Sequence, residues 1–413
     1  MITAVTFVGL LFVYALLSRR LSETPITAPI LFTAVGMLVS PKWEYVVGAG
    51  VTASVFLRGA ELGLVLLLFT DASRTELAVV RSIRTVPGRL LSAGMLLTII
   101  LGTLAARLVF PGLSLWEAGI LGTILAPTDA GLGQVVVSSP RVPKLIREAL
   151  TVEAGLNDGL SVPFMLFFMA LAAAKIEGGP TALLQFIGEQ LGLGILLGIA
   201  IGLVGGWLLR VARRRKWMGE AFQQIAVVAM PLFCMLFAEM VDASMFIASF
   251  VAGLAVQIPF KEACKHSVEF AEEWGQLFNL AVFFLFGMIV IRDWAQFTPS
   301  CWIYAILSLT IVRMLPVALA LIGTGLSRGS VVFMGWFGPR GLASIVLGLV
   351  YLEQELQLPG EPTIQLAVIV TVVLSIFLHG LSAMPGIALY SRRIAALEAS
   401  APEHQEPATV KLV

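Results

Sequence analysis

A carboxylate in the middle of an apolar span constrains this chain more than any other feature. Asp129 follows the run AGILGTILAPT (118–128) and precedes AGLGQVVV (130–137). A charge at bilayer depth costs at least about 2.5–3.5 kcal/mol on insertion scales, so a chain that keeps one there uses it for an ion or a proton. Pro127, Gly131 and Gly133 surround it. They predict an unwound helix whose freed carbonyls line a polar site.

The bulk composition agrees. Hydrophobic residues make up 58% of the 413 and charged residues 13%, with a mean hydropathy of +0.94. Soluble domains carry about 25% charged residues. The apolar runs are too long and too many for buried core helices, so the fold class is an all-α polytopic membrane protein. Cys234, Cys264 and Cys301 are odd in number with no paired spacing, which implies neither a disulfide framework nor a metal site. The first residues lack a basic start and a small-residue cleavage site, so 2–18 is expected to be a retained span.

Thirteen spans fit the hydrophobic runs: 2–18, 25–41, 55–72, 89–110, 115–139, 145–173, 184–211, 220–240, 243–258, 274–291, 301–323, 330–352 and 362–390. Of the 27 Lys and Arg, Arg313 and Arg340 lie within spans and Lys411 near the chain end. The other 24 divide between alternate loops nineteen to five, the minority being Lys42, Arg58, Arg107, Lys175 and Arg292. The positive-inside rule then places the N-terminus outside and the C-terminus in the cytoplasm, as in a cell (inner) membrane.

The fifth and twelfth spans are interrupted by polar residues, APTD (126–129) and FGPRG (337–341). Seven spans separate them, so they run in opposite directions, the signature of an inverted repeat with two discontinuous helices meeting at the midplane. Two chance Pro/Gly kinks would not explain why each carries an unlike charge. The sixth span contributes TVEAGLNDG (151–159). Glu153 and Asn157 share a helix face, and Asp158 lies about 100° around from Asn157. Arg340 is expected to pair with Glu153, since either alone is an uncompensated buried charge. Asp158 then has no evident structural partner. With Asp129 beside it, two acids surround one dehydrated monovalent cation, and Thr128 adds neutral oxygens of the hard type that such ions take. Asn157 is expected to hydrogen-bond across the crossed helices.

Other polar residues leave alternatives open. Asp71, in LLLFTDASR (66–74), is either a helix-end residue or an acid near the site. Arg58 and Glu61 pair or snorkel. Arg313 faces either an acid or helix carbonyls, and His379 is read as a hydrogen-bonded packing histidine. The charged segment 261–273 is read as a solvated or interfacial connector, and 394–413 as a short disordered cytoplasmic tail. No phosphate loop, zinc spacing, nucleophile triad or nucleic-acid surface is present in the sequence, and no cofactor or soluble regulatory domain is expected. A channel would show a ring or filter of repeated elements, and a sensor a soluble output domain.

APTDA (126–130), VEAGLNDG (152–159), FGPRG (337–341) and LHGLS (378–382) together resemble the cation:proton antiporter-1 family, the NhaP-type sodium/proton exchangers. The resemblance implies a thirteen-span inverted-repeat core with crossed broken helices and a separate dimerisation domain. It also implies exchange of Na+, often Li+, for H+. On that likeness residues 1–393 form the exchanger domain, with core helices near 89–173 and 301–390. Dimerisation helices fall near 2–18 and 184–258, where a glycine stripe (Gly192, Gly194, Gly198, Gly202, Gly205, Gly206) allows close helix approach, between subunits or within one. The cation and proton are assigned to Asp129, Asp158, Thr128 and Asp71, with Na+ on the first three. Asn157, Glu153 and Arg340 are assigned to the structural core. Ala154 stands where some relatives place a serine, and Ala130 where a proline is common. The neutral Asn157, where electrogenic relatives carry a second acid, implies one charge exchanged for one. A K+/H+ exchanger is the alternative.

Overall fold

The computed structural model describes residues 2–21, 24–39, 52–74, 86–177, 188–260, 264–354, 356–398 and 401–404. Every regular element among them is a helix. In chain order these are α1 (Ile2–Leu21), α2 (Ala28–Val39), α3 (Thr52–Arg74), α4 (Val86–Val109), α5a (Leu115–Ile124) and α5b (Ala130–Val137). Then come α6 (Lys144–Glu177), α7 (Gly194–Arg214), α8 (Glu220–Met240), α9 (Met245–Phe260) and α10 (Cys264–Asp293). The last are α11a (Pro299–Leu309), α11b (Ile311–Ala320), α12a (Arg328–Trp336), α12b (Leu342–Glu353) and α13 (Glu361–Ile394). Counting each pair of halves once, the described helices make thirteen. Eight are long and apolar enough to cross a membrane and four shorter ones are apolar. The chain is a multi-pass membrane protein.

Local chemistry sets several boundaries. Ser114 caps α5a in a reciprocal box with Glu117, whose other oxygen accepts the Gly360 N–H at 2.7 Å and ties α5a to the start of α13. Ser327 caps α12a through the Ser330 N–H. Prolines open α11a and α13, where their missing N–H costs nothing.

The repeat is visible in lengths. Each broken helix, α5 and α12, is followed by an unbroken helix of 34 residues, α6 and α13. Helices α4, α5, α6, α11, α12 and α13 pack mainly among themselves, as do α2, α3 and α7–α10. The two sets meet where α2 touches α13, α3 touches α6 and α12b, α9 touches α6, and α10 touches α12b and α13. Helix α1 leans on α2 through Phe7 and Tyr14 against the Phe32 ring.

Close backbone approach holds the second set together. A Cβ on Gly198 would sit 2.5 Å from the Ala248 carbonyl, and one on Gly202 would sit 2.7 Å from that of Ala252. Gly194 and Gly206 likewise face α9, at Ile247 and Pro259. The small-residue stripe of α7 therefore packs α9 within the same chain. The space over these four positions is filled within the chain.

The charged segment 261–273 is helical from Cys264, where α10 begins; residues 261–263, and the side chains of 264–273, lie outside the described residues. The tail is not uniformly disordered. Pro402–His404 forms a turn, and buried Glu403 accepts hydrogen bonds from the Ser327 N–H at 2.7 Å and the Ser330 hydroxyl at 2.6 Å.

Candidate cation site at the helix crossing

The two helix breaks cross each other in extended backbone. The Asp129 N–H donates to the Pro339 carbonyl at 2.8 Å. The Asp129 carboxylate is the N-cap of α5b, accepting the Leu132 N–H at 2.9 Å on Oδ1. Its other oxygen accepts the Leu342 N–H at 2.6 Å, the first residue of α12b. One buried acid thus satisfies the positive ends of two helices from opposite halves of the repeat. Gly341 is required beside it, since a Cβ there would stand 2.1 Å from Asp129 Oδ2.

Arg340 answers at the opposite pole. It is fully buried and donates to the carbonyls of Ala126 at 2.5 Å and Pro127 at 3.0 Å, just past the C-terminal end of α5a. Those carbonyls are left orphaned by the break, and a cation is the partner that the negative helix end favours. The expected Glu153–Arg340 ion pair is therefore not formed. Glu153 is instead gripped by both ends of the Arg313 guanidinium, at 2.5 and 2.9 Å, with both side chains buried. Two features aim Arg313 inward. The helix is interrupted at Thr310, between α11a and α11b, and Gly338 leaves room, since a Cβ there would lie 2.3 Å from Arg313 Nε. His379 joins the same network as a packing residue: Ser375 accepts the Arg340 N–H at 2.7 Å and contacts His379 Nδ1 at 3.1 Å.

The acids and amides of the sixth span gather against this crossing. Asn157 Nδ2 donates to the Thr128 hydroxyl at 2.7 Å, both residues buried. Asp158 lies close enough to Asp129 and Asp71 to interact with both charges. Asp71, in the last turn of α3, packs on the sixth span, its Cβ 3.4 Å from the point a Cβ on Gly155 would take. Asp158 Oδ1 and Asn157 Oδ1 are both buried and lack a hydrogen-bond partner. Buried acceptors without donors are rare in folded proteins, and a cation satisfies them where no N–H does.

A cavity of about 40 Å³ reaches Thr128 and Asp129, walled by Gly133, Val137, Leu150, Thr151, Ala154 and Phe337 among others. That is room for a small ion or a few waters. Ala154 faces it, at the position where a hydroxyl would add a ligand. No three His, Cys, Asp or Glu side chains among the described residues are placed to hold a metal ion.

A family model described as the sodium/hydrogen exchanger transmembrane region matches residues 7–387. The chain belongs to this family. It is 28% identical over 275 residues to "Na(+)/H(+) antiporter 2" of Zygosaccharomyces rouxii, covering 62% of this chain. It is 25% identical over 348 residues to "K(+)/H(+) antiporter NhaP" of Alkalimonas amylolytica, covering 83% of this chain. The chain spans 34% and 59% of the lengths of those two relatives. Its fold matches the sodium proton antiporter MjNhaP1 from Methanocaldococcus jannaschii, with a TM-score of 0.75 at 19% identity over 92% of this chain and 99% of that one. Family membership makes the chain one of a class of transporters.

The sequence left Arg313 open between an acid and helix carbonyls; its acid partner, Glu153, depended on the bend at Thr310. Asn279, on α10, lies across from Asp129 at Gly131; its signal was a lone amide in an apolar run.

Proposed function

We propose that the chain is a secondary antiporter that exchanges Na+, and also Li+, for H+ by alternating access. The observation that carries the reading is the pair of donor-free oxygens on Asn157 and Asp158 beside the doubly capped Asp129. Asp158 is the carrier. Its carboxylate holds a cation or a proton in turn, because an apolar surrounding does not tolerate it as a bare charge. Asp129, Thr128 and Asp71 contribute negative charge and oxygens around the bound ion. Asn157, Glu153 and Arg340 hold the crossing in shape, with Arg313 as the partner of Glu153. If Asp158 alone exchanges its load while Asp129 stays constant, each half-cycle moves one charge, and exchange is electroneutral.

The proposed setting is a cell membrane with the N-terminus outside and the C-terminus in the cytoplasm, following the distribution of Lys and Arg. The six helices of the two repeats form the moving part. The protein is proposed as a homodimer held through α1 and the outer faces of the helices near α7–α9, needing no cofactor and catalysing no covalent reaction.

The test is a pH-sensitive dye inside acidified proteoliposomes, with Na+, Li+ and K+ added in turn. Dequenching by Na+ and Li+ is expected, at a rate unaffected when the membrane potential is collapsed. Dequenching by K+ alone establishes the second reading, which is favoured by Ala154 offering no hydroxyl to a small ion and by the potassium antiporter among the relatives. Dequenching by none refutes both.

A further inference from the structure

The proposed mechanism leaves a buried carboxyl group of α3 unused. Glu61 is 1% exposed and accepts from Arg58, one turn earlier, at 3.3 Å. Arg58 also pairs with Glu239 at the end of α8. Those contacts stay within one helix set. A third contact leaves it: the Glu61 carboxyl hydrogen-bonds that of Glu353, the exposed last residue of α12b. The charges that face Glu61 are Glu353, Arg58 and Glu239, and the same acids face Arg58. Ionised carboxylates only accept, so two of them share a hydrogen bond when one carries a proton. With that proton the four side chains carry one net negative charge, and without it two.

Position in the fold gives the contact its consequence. The cavity at Thr128 and Asp129 lies on one side of the crossing, walled by Gly133 of α5b, Leu150 of α6 and Phe337 at the end of α12a. Helix α12b runs out of the other side, and its 12 residues carry Glu353 about 18 Å from the break at 1.5 Å per residue. The carboxyl pair therefore joins the two helix sets at the end away from the cavity.

We propose that Glu61 and Glu353 form a proton-sharing latch between α3 and α12b, which shuts the external side of the cation site and lets go when the outside turns alkaline. The proposal rests on the exchanger reading above and its orientation, which puts these residues at the outer ends of their spans. Exposed Glu353 meets external protons and passes the change to buried Glu61. Loss of the shared proton sets two carboxylates against each other and frees α12b to slide past α3. Apparent affinity falls with the fraction of molecules competent to bind, so the closed latch weakens capture of external Na+.

Two measurements test this. In a background with Cys234, Cys264 and Cys301 replaced by Ala, Glu61→Cys with Glu353→Cys is oxidised and then reduced. A disulfide is expected to form, stop exchange, and release it on reduction. No disulfide in the folded chain overturns the contact, and a disulfide with undiminished exchange overturns the latch. The second measurement is the apparent KM for external Na+ in right-side-out vesicles at fixed internal pH, as external pH is varied. At acid external pH, Glu353→Ala is expected to lower KM by about ten-fold, the weight of one hydrogen bond to a charged group, and to meet the unmodified chain at alkaline pH. Glu353→Gln donates to Glu61 without a proton and is expected to keep KM high at alkaline pH. Identical pH profiles in all three chains overturn the proposal, as does the same displacement in both variants. No exchange by the unmodified chain overturns the exchanger reading itself, while disulfide formation reports on the contact without transport.

Discussion

The carboxylate of Asp129 accepts the backbone N–H of Leu342 at 2.6 Å, from the other half of the repeat. With Leu132 on its second oxygen, it locks the two half-helices α5b and α12b to one point. Asp129→Asn keeps the shape but turns one oxygen into an NH2 that faces an N–H, leaving a buried donor unsatisfied. The variant is expected to lose about 1–3 kcal/mol of stability and also to bind Na+ more weakly. Melting in detergent and the apparent KM check the two effects separately.

Glu153 and Arg313 are expected to behave as one unit. Removing either charge strands its partner in the interior and should cost about 3–5 kcal/mol. The double replacement by apolar residues of similar size should recover much of that loss. A double-mutant cycle on melting should show strong coupling for Glu153 with Arg313 and weaker coupling with Arg340, which is spent on the carbonyls of Ala126 and Pro127.

The α7 stripe supplies a prediction about assembly. Gly198→Leu or Gly202→Leu drives a side chain into the backbone of α9, so stability should fall sharply. Because the contact lies within one chain, the melting loss should be the same whether protomers are crosslinked or separated in detergent.

The tail contact should respond to acid. Burial raises the Glu403 carboxyl, but hydrogen bonds from Ser330 and Ser327 outweigh it and leave it below its usual 4.5. A lowered folded value means that the contribution is whole above 4.5 and is lost as pH falls through the lowered value. Protease cleavage near residue 401 should be slow at neutral pH and rise only below pH 4.5. Glu403→Gln should raise cleavage already at neutral pH.

Much of this arrangement is written in local sequence. Unlike charges in two Pro/Gly-broken spans announced the crossing, because intramembrane charges must meet partners or ions. That Asn157 would hydrogen-bond across the crossed helices was legible from a lone amide beside buried acids, but not that Thr128 is its partner. The pairing of Glu153 did not follow. Two buried arginines competed for it, and the choice turned on an irregular turn at Thr310 and the missing side chain of Gly338, neither carrying a charge or a periodic signal. The glycine stripe of α7 was legible as a contact surface but not as to which helix it meets, since a small-residue row fits any partner. Glu403 was hidden in a polar tail whose composition alone reads as solvated.

The most direct measurement of the central claim is Na+-driven dequenching by Asp158→Asn in proteoliposomes, beside the unmodified chain at equal protein load. Asn is close in size, so the variant should fold, insert and melt as the unmodified protein does. It has no charge to exchange between cation and proton, so the account predicts dequenching by the unmodified chain and none by the variant. Dequenching by a well-folded Asp158→Asn at the unmodified rate would contradict it.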